Sequence, residues 1–258
     1  MSGNIVWADI ARDVVSVRGG DAGAFLHSQL AQDIATLEVG QSTHSLLLEP
    51  TGHIVALLRV VRHEEYHYTL DVDAGFGQSL IDRLKRFVLR SDVTMEMSNW
   101  CVRAFRGHDI AAIDSTEHAV VPAYRRRESG VDLLGARETL PTVGDATEPE
   151  HIDMFRVDAH WPRLGVDVLV GDIPATSGVL DVAVSFSKGC YPGQELVERM
   201  DSRGSQAPVV VRSFPRDGMA VGARIQHNGT DIGTVTSIGF TRAIGRVSRQ
   251  SDFGEPLS

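Results

Sequence analysis

The sequence predicts an α+β fold of two consecutive mixed units followed by a small all-β unit. Three observations carry this. Strand-like runs before residue 73 lead into one strongly amphipathic helix, similar runs resume at Trp100 and lead to a second helix, and helical periodicity disappears from Val209 onward. The expected boundaries are 1–98, 99–204 and 205–258, each within the usual size of a folding unit or module.

Val14 to Val17 reads as a strand, and Asp21 offers an N-cap to a helix carrying Phe25, Leu26 and Leu30. Ser45 to Leu48 and His53 to Val61 are β-like runs parted by the Pro50-Thr51-Gly52 turn, and Tyr66 to Val72 alternates as a third strand. Asp73 is then placed to cap a helix on which Phe76, Leu80, Ile81, Leu84, Phe87 and Val88 recur at spacings of three and four. Val93 to Met97 closes a split βαβ-type unit. In the second unit the strands are Trp100 to Phe105, Ala119 to Tyr124 and Val131 to Leu134, with Pro141 to Glu150 as a surface loop and a helix over Pro149 to Val157. The tail alternates short strands with Asp-Gly and Asn-Gly turns and reads as a β-barrel or sandwich.

The 258 residues are 42% hydrophobic and 23% charged, with 25 basic against 34 acidic side chains and a net charge of −9. That balance disfavours a surface built to neutralise phosphates, so direct nucleic-acid binding is not expected. No run approaches the ~20 apolar residues of a membrane-spanning helix, and residues 1–18 lack the pattern of a secretory signal; the expectation is a cytoplasmic protein. The two cysteines, Cys101 and Cys190, are too few for a disulfide framework and lack zinc-site spacing. His63 and His67 have strand spacing that could place both rings on one face, but a pair falls short of a metal site, and no metal is expected. Only Lys85 and Lys188 are lysines. Arg83, Lys85, Arg86 and Arg90, and the run Arg125-Arg126-Arg127, read as a solvated helix face and a charged turn.

The densest cluster of unusual residues is Ser187-Lys188-Gly189-Cys190-Tyr191-Pro192-Gly193-Gln194-Glu195, followed by Leu196, Val197 and Met200 at helical spacing. Pro192 suits a first helical turn, and Gly189 and Gly193 permit close backbone approach. A thiol just ahead of a helix N-terminus, with an ammonium beside it, is favoured as thiolate. Cys190 and Lys188 are therefore the candidate reactive pair.

This segment resembles the Lys-Gly-Cys-[Tyr/Phe]-x-Gly-Gln-Glu signature of the YgfZ family, folate-binding proteins related to the T-protein (aminomethyltransferase) of the glycine cleavage system. The resemblance extends to Phe25-Leu26-His27-Ser28-Gln29-Leu30, Pro50-Thr51-Gly52-His53-Ile54, Phe87 to Val93, Pro162 to Asp167, Ile173-Pro174, and Arg199, Arg203 and Gly204. It implies two T-protein-like (ferredoxin-like) α+β domains around a central folate channel, a C-terminal β-barrel, a reduced folate as ligand, and Tyr191, Gln194, Glu195 and Arg199 as its pocket lining. It further implies an auxiliary role toward iron–sulfur enzymes, including tRNA-modifying ones, with those proteins as clients.

Three departures matter. T-proteins carry an Asp-Asp pair after a Gly-Gly-Ile turn, one carboxylate being catalytic on folate; here Ala56 and Leu57 stand there, so aminomethyl transfer by that route has no acid or base. Relatives carry a pterin-binding Glu after Ile-Pro, where this chain reads Ala175-Thr176-Ser177, which implies weakened folate binding. His160-Trp161 stands before Pro162 where relatives often have Gly-Ile, and Trp161 is expected either in the core or as a stacking wall. The rival readings are a tetrahydrofolate-dependent one-carbon transferase or demethylase, and a non-catalytic interaction module.

Overall fold

The computed structural model describes residues 5–258 except 109, 111–112, 114, 116, 126–129, 204–206, 250–252 and 258, and the backbone alone at 201–203. Arg126, Arg127 and Gly204, and the Arg203 side chain, lie outside the described residues. In chain order the elements are β1 (Val6–Ile10), β2 (Arg12–Arg18), α1 (Ala22–Gln29), β3 (Ser42–Leu48), β4 (Ile54–Glu64), β5 (His67–Asp73), α2 (Gly77–Lys85), β6 (Thr94–Met97) and β7 (Cys101–Arg106). They continue with β8 (Val120–Pro122), β9 (Val131–Gly135), β10 (Asp145–Ala146), α3 (Pro149–Asp158), α4 (Leu180–Ala183), α5 (Gln194–Arg203), β11 (Val209–Pro215), β12 (Arg224–His227), β13 (Thr230–Ile238) and β14 (Arg242–Ser248). Among the described residues no helix is long and apolar enough to cross a membrane.

Three sheets organise these strands. The first, ordered β3-β4-β5-β2-β6, is antiparallel throughout. One face packs on the helices, with Leu80, Ile81 and Leu84 of α2 joining Val15, Val17, Leu70 and Val72 in a single core. From the other face Val14 and Val61 meet Val102, Val121 and Leu134 of the second sheet, ordered β10-β1-β7-β9-β8. The third is four-stranded and antiparallel, ordered β11-β14-β13-β12, a β12-β13-β14 meander with β11 added beside β14. No pairing among the described residues joins β12 back to β11, so the expected closed barrel is not observed.

The N-terminal strand is the main departure from the expected order. β1 was not anticipated, and it pairs with β7 of the second sheet while β2, one residue later, enters the first. The chain thus switches sheets across Ala11. Two expected caps also differ. The Asp21 carboxylate does not cap α1 but accepts from the Asp92 amide at 2.8 Å. Asp73 accepts from Arg12 and from the Leu164 amide, and α2 is instead capped by Asp13, which accepts from the Gly75 and Gly77 amides. A carboxylate on an adjacent strand reaches these free N–H groups as well as a local one would.

Candidate functional site: a central cavity and a separate thiol loop

The three sheets enclose a cavity of about 860 Å³, in the range of sites that hold drug-sized ligands. The sheet switch itself, Ile10 to Arg12, forms part of the wall, and β3 and β4 contribute His44, Leu57, Leu58 and Arg59. The third sheet supplies Thr236, Ser237 and Ile238, with Arg216 and Val221 from its connections. One wall is aromatic. The His44 and Trp161 ring centroids lie 4.3 Å apart, and Tyr124 stands 6.3 Å from Trp161. Trp161 is therefore both nearly buried and a wall residue, so its two expected roles coincide.

Behind the wall runs a chain of buried ion pairs. Asp71 accepts from Arg12 Nε at 2.8 Å and from Arg59 Nε at 2.7 Å; Arg59 Nη1 donates to Asp132 at 2.9 Å; Arg106 Nη1 donates to the other Asp132 oxygen at 2.8 Å and its Nε to the Tyr124 hydroxyl at 3.2 Å. Burial alone would raise both carboxyl groups, but the flanking guanidiniums outweigh it and hold Asp71 and Asp132 below the usual carboxylate range. A second hub is Asp167, which is fully buried. It accepts from Arg156 Nη1 at 2.8 Å, the Arg163 amide at 2.9 Å, Ser237 Oγ at 2.8 Å and Thr236 Oγ1, joining the third sheet to the cavity.

The cavity wall is dense in charged side chains. Six arginines line it (Arg12, Arg59, Arg106, Arg156, Arg163, Arg216) against four carboxylates (Asp73, Asp132, Glu150, Asp153). Asp71 and Asp167, which pair Arg12, Arg59 and Arg156 from behind the wall, bring the carboxylates to six as well, so the charges at the cleft balance. A folate fits these residues: aromatic walls accept a flat pterin, and guanidiniums suit a carboxylate tail. Leu57, the position matched to a T-protein carboxylate, does face the cavity, whereas Ala56 is buried and does not line it.

The signature residues are elsewhere. Lys188, Cys190, Tyr191, Gln194, Glu195 and Arg199 are absent from the cavity lining. Their segment packs against the turn between β3 and β4, where Gly193 approaches the Glu49 carbonyl and Gly52 so closely that a Cβ would lie 2.6 and 2.8 Å from them. Gly193 has φ +84°, which ends any helical continuity with Pro192, so α5 begins at Gln194 and Cys190 stands four residues ahead of it. Pro192 is accordingly a turn residue, not the first residue of the helix. Gly189 makes no close approach, a Cβ there meeting nothing within 4 Å.

Lys188 does not attend the thiol. Its ammonium donates to the carbonyls of His27, Leu30 (2.7 Å) and Gln32 (3.2 Å) at the C-terminal end of α1, where free carbonyls and the helix dipole favour a cation. Burial pulls it down to about 8, countered in part by Asp33. Cys190 is exposed. Tyr191 is buried beneath Lys188, whose Nζ lies 5.2 Å from the ring centroid, and burial pushes its phenol up to about 12. Gln194 donates to Glu198 at 2.6 Å.

Other expectations resolve one by one. Arg83 is not solvated: its side chain is buried over Phe87, 4.4 Å from the ring centroid, and Nη2 donates to the Leu48 carbonyl at 2.8 Å. Arg125 ties the Leu257 and Gly178 carbonyls and Asp181 together. His63 and His67 do come together, with ring centroids 5.1 Å apart beside Trp100, each engaged with a hydroxyl, Thr69 and Ser16 respectively. The strand residues Arg12, His44, Arg59, Asp71 and Asp132, which build the cavity, were not singled out from the sequence. The available signal was a charged side chain interrupting an otherwise apolar strand, as Arg59 does between Leu58 and Val60.

No protein-family profile matches the chain. It is 24% identical over 232 residues to an uncharacterized protein of Haemophilus influenzae, covering 87% of this chain and 80% of that protein. It is 23% identical to the tRNA-modifying protein YgfZ of Vibrio vulnificus, over 74% of this chain and 64% of that one. With the mitochondrial iron-sulfur cluster assembly factor IBA57 homolog of Mycosarcoma maydis it shares 26% identity over 75% of this chain, which spans only 53% of that relative. In structure it matches the glycine cleavage system aminomethyltransferase T from Bartonella henselae with a TM-score of 0.73 at 20% identity, covering 95% of this chain and 78% of that one. The chain is a distant homologue of the YgfZ and IBA57 proteins, built on the aminomethyltransferase fold.

Proposed function

We propose that this chain is a cytoplasmic, folate-binding auxiliary protein that supports the assembly or repair of iron–sulfur enzymes, tRNA-modifying ones among them, without turning folate over. The observation that carries the reading is Leu57. The cavity keeps the size, aromatic wall and guanidiniums suited to a folate, while the residue at the position matched to a transferase carboxylate is an apolar side chain that can move no proton. The names of the relatives supply the client class. In this reading the three segments 1–98, 99–204 and 205–258 act as one holder, and the Cys190 loop serves the clients, not the folate.

The test has two arms. Purified protein is titrated calorimetrically with tetrahydrofolate, then supplied with tetrahydrofolate and an aminomethyl or N-methyl donor. Binding without formation of methylenetetrahydrofolate above the uncatalysed rate is expected, and deletion in cells should lower the activity of iron–sulfur enzymes that methylthiolate tRNA. Robust turnover would move the assignment to a one-carbon transferase. No binding heat and no rise in melting temperature at millimolar ligand would remove folate, since a ligand selective for the native state must stabilise it.

A further inference from the structure

The cavity wall beside Leu57 carries a side chain that nothing so far uses. His44 lies on β3 directly opposite Arg59 of β4, and Leu57 is two residues from Arg59, so His44 and Leu57 are diagonal neighbours on one sheet face, roughly 7 Å apart at that spacing. Both line the cavity. The imidazole is tilted 48° to Trp161 at 4.3 Å, and among the described residues neither ring nitrogen has a protein hydrogen-bond partner. Neither nitrogen is sealed off as a buried orphan. The part of His44 that remains accessible therefore opens to the cavity.

We infer that His44 is the specificity-determining residue of the cavity, reading the heterocycle of a bound reduced folate as an uncharged donor and acceptor. This rests on the folate reading above and names the group that recognises the ring. A neutral imidazole has one N–H and one lone pair, whereas a carboxylate only accepts. It can take an N–H from the pterin amine or ring amide, or give one to the ring carbonyl, as its tautomer allows. It carries no negative charge with which to stabilise positive charge developing on a folate nitrogen, so it recognises without promoting transfer. The groups that face it, Arg59 and Arg12 against Asp71 and Asp132, leave it uncharged: burial first, then Arg59, pull it down to about 3.

The experiment is calorimetric titration of tetrahydrofolate into the full chain, His44→Phe and His44→Gln. Phenylalanine keeps a flat ring against Trp161 but removes both hydrogen-bonding atoms; a weakening of about 5- to 10-fold is expected. Glutamine, which has a donor and an acceptor, should recover part of it. The ratio of wild-type to His44→Phe affinity should stay constant from pH 6 to 8, because His44 does not titrate there. In parallel, the ring nitrogen resonances of His44 in the wild-type protein should shift on adding tetrahydrofolate, a readout that does not depend on any variant folding. His44→Phe binding within twofold of wild type, or unshifted His44 resonances under saturating ligand, would overturn the inference while leaving the folate reading intact. A folded wild type that binds no tetrahydrofolate would overturn both.

Discussion

The central cavity and the Lys188–Glu195 loop treat polar side chains in opposite ways. Around the cavity, charges are buried and spent on one another: Asp71, Asp132 and Asp167 each hold two or more partners out of water. In the loop one half-buried cation, Lys188, is spent on backbone carbonyls, and the thiol two residues on is left exposed. The first region is organised to hold a shape around a ligand and the second to present a group outward. The densest stretch of the resemblance thus marks a surface element, while the cavity draws on the Pro162–Val166 segment and on scattered strand residues that belong to no motif.

The largest expected effect is in the cavity. Asp167→Ala should cost about 3–5 kcal/mol in urea denaturation, because it leaves the buried Arg156 without its carboxylate and frees Ser237 and Thr236 of the third sheet. A cost below about 1 kcal/mol would mean that the cavity charges are as dispensable as surface pairs. Acid should act through two histidines, His44 on the cavity wall and His63 beside Trp100. His44 is pulled down to about 3 and His63, by burial and then His67, to about 4. In each case the unfolded chain binds more protons below about pH 6.5, so stability is full above that value and is lost as pH falls toward the folded values. Between pH 7 and 5 each should remove about 2 kcal/mol, and His44→Phe should flatten the slope by that amount.

The loop should respond less and differently. Lys188→Met should cost about 1.5–3 kcal/mol through lost charge-assisted bonds to α1, with the acid slope unchanged. Smallest in energy but easiest to read is thiol labelling. Cys190 is exposed, whereas burial and then Asp9 push the Cys101 thiol up, so iodoacetamide near neutral pH should modify Cys190 first. Equal rates would show that the loop does not present its thiol.

Much of the fold was legible because its strands and helices alternate at their own periods. The stripe Leu80, Ile81, Leu84 packs as its spacing requires, and the Pro50-Thr51-Gly52 turn separates β3 from β4. β1 was not legible, because strand membership in a sheet formed with residues 101–106 is decided by long-range pairing, not by local pattern. The loop stood out in the sequence, but sequence adjacency of Lys188, Cys190 and Gln194 carries no information on which cavity they face, and they do not line this one. His44 left almost no sequence signal, since its meaning comes from Arg59 across the strand pair and from Trp161, more than a hundred residues away.

The central claim is that ligand cavity and thiol loop are separate sites, and the dissociation constant of tetrahydrofolate for Cys190→Ser tests it most directly. Because Cys190 does not line the cavity, the variant should bind within twofold of the wild-type protein. A loss of tenfold or more, with the variant's melting temperature unchanged, would place the thiol at the ligand and contradict the account.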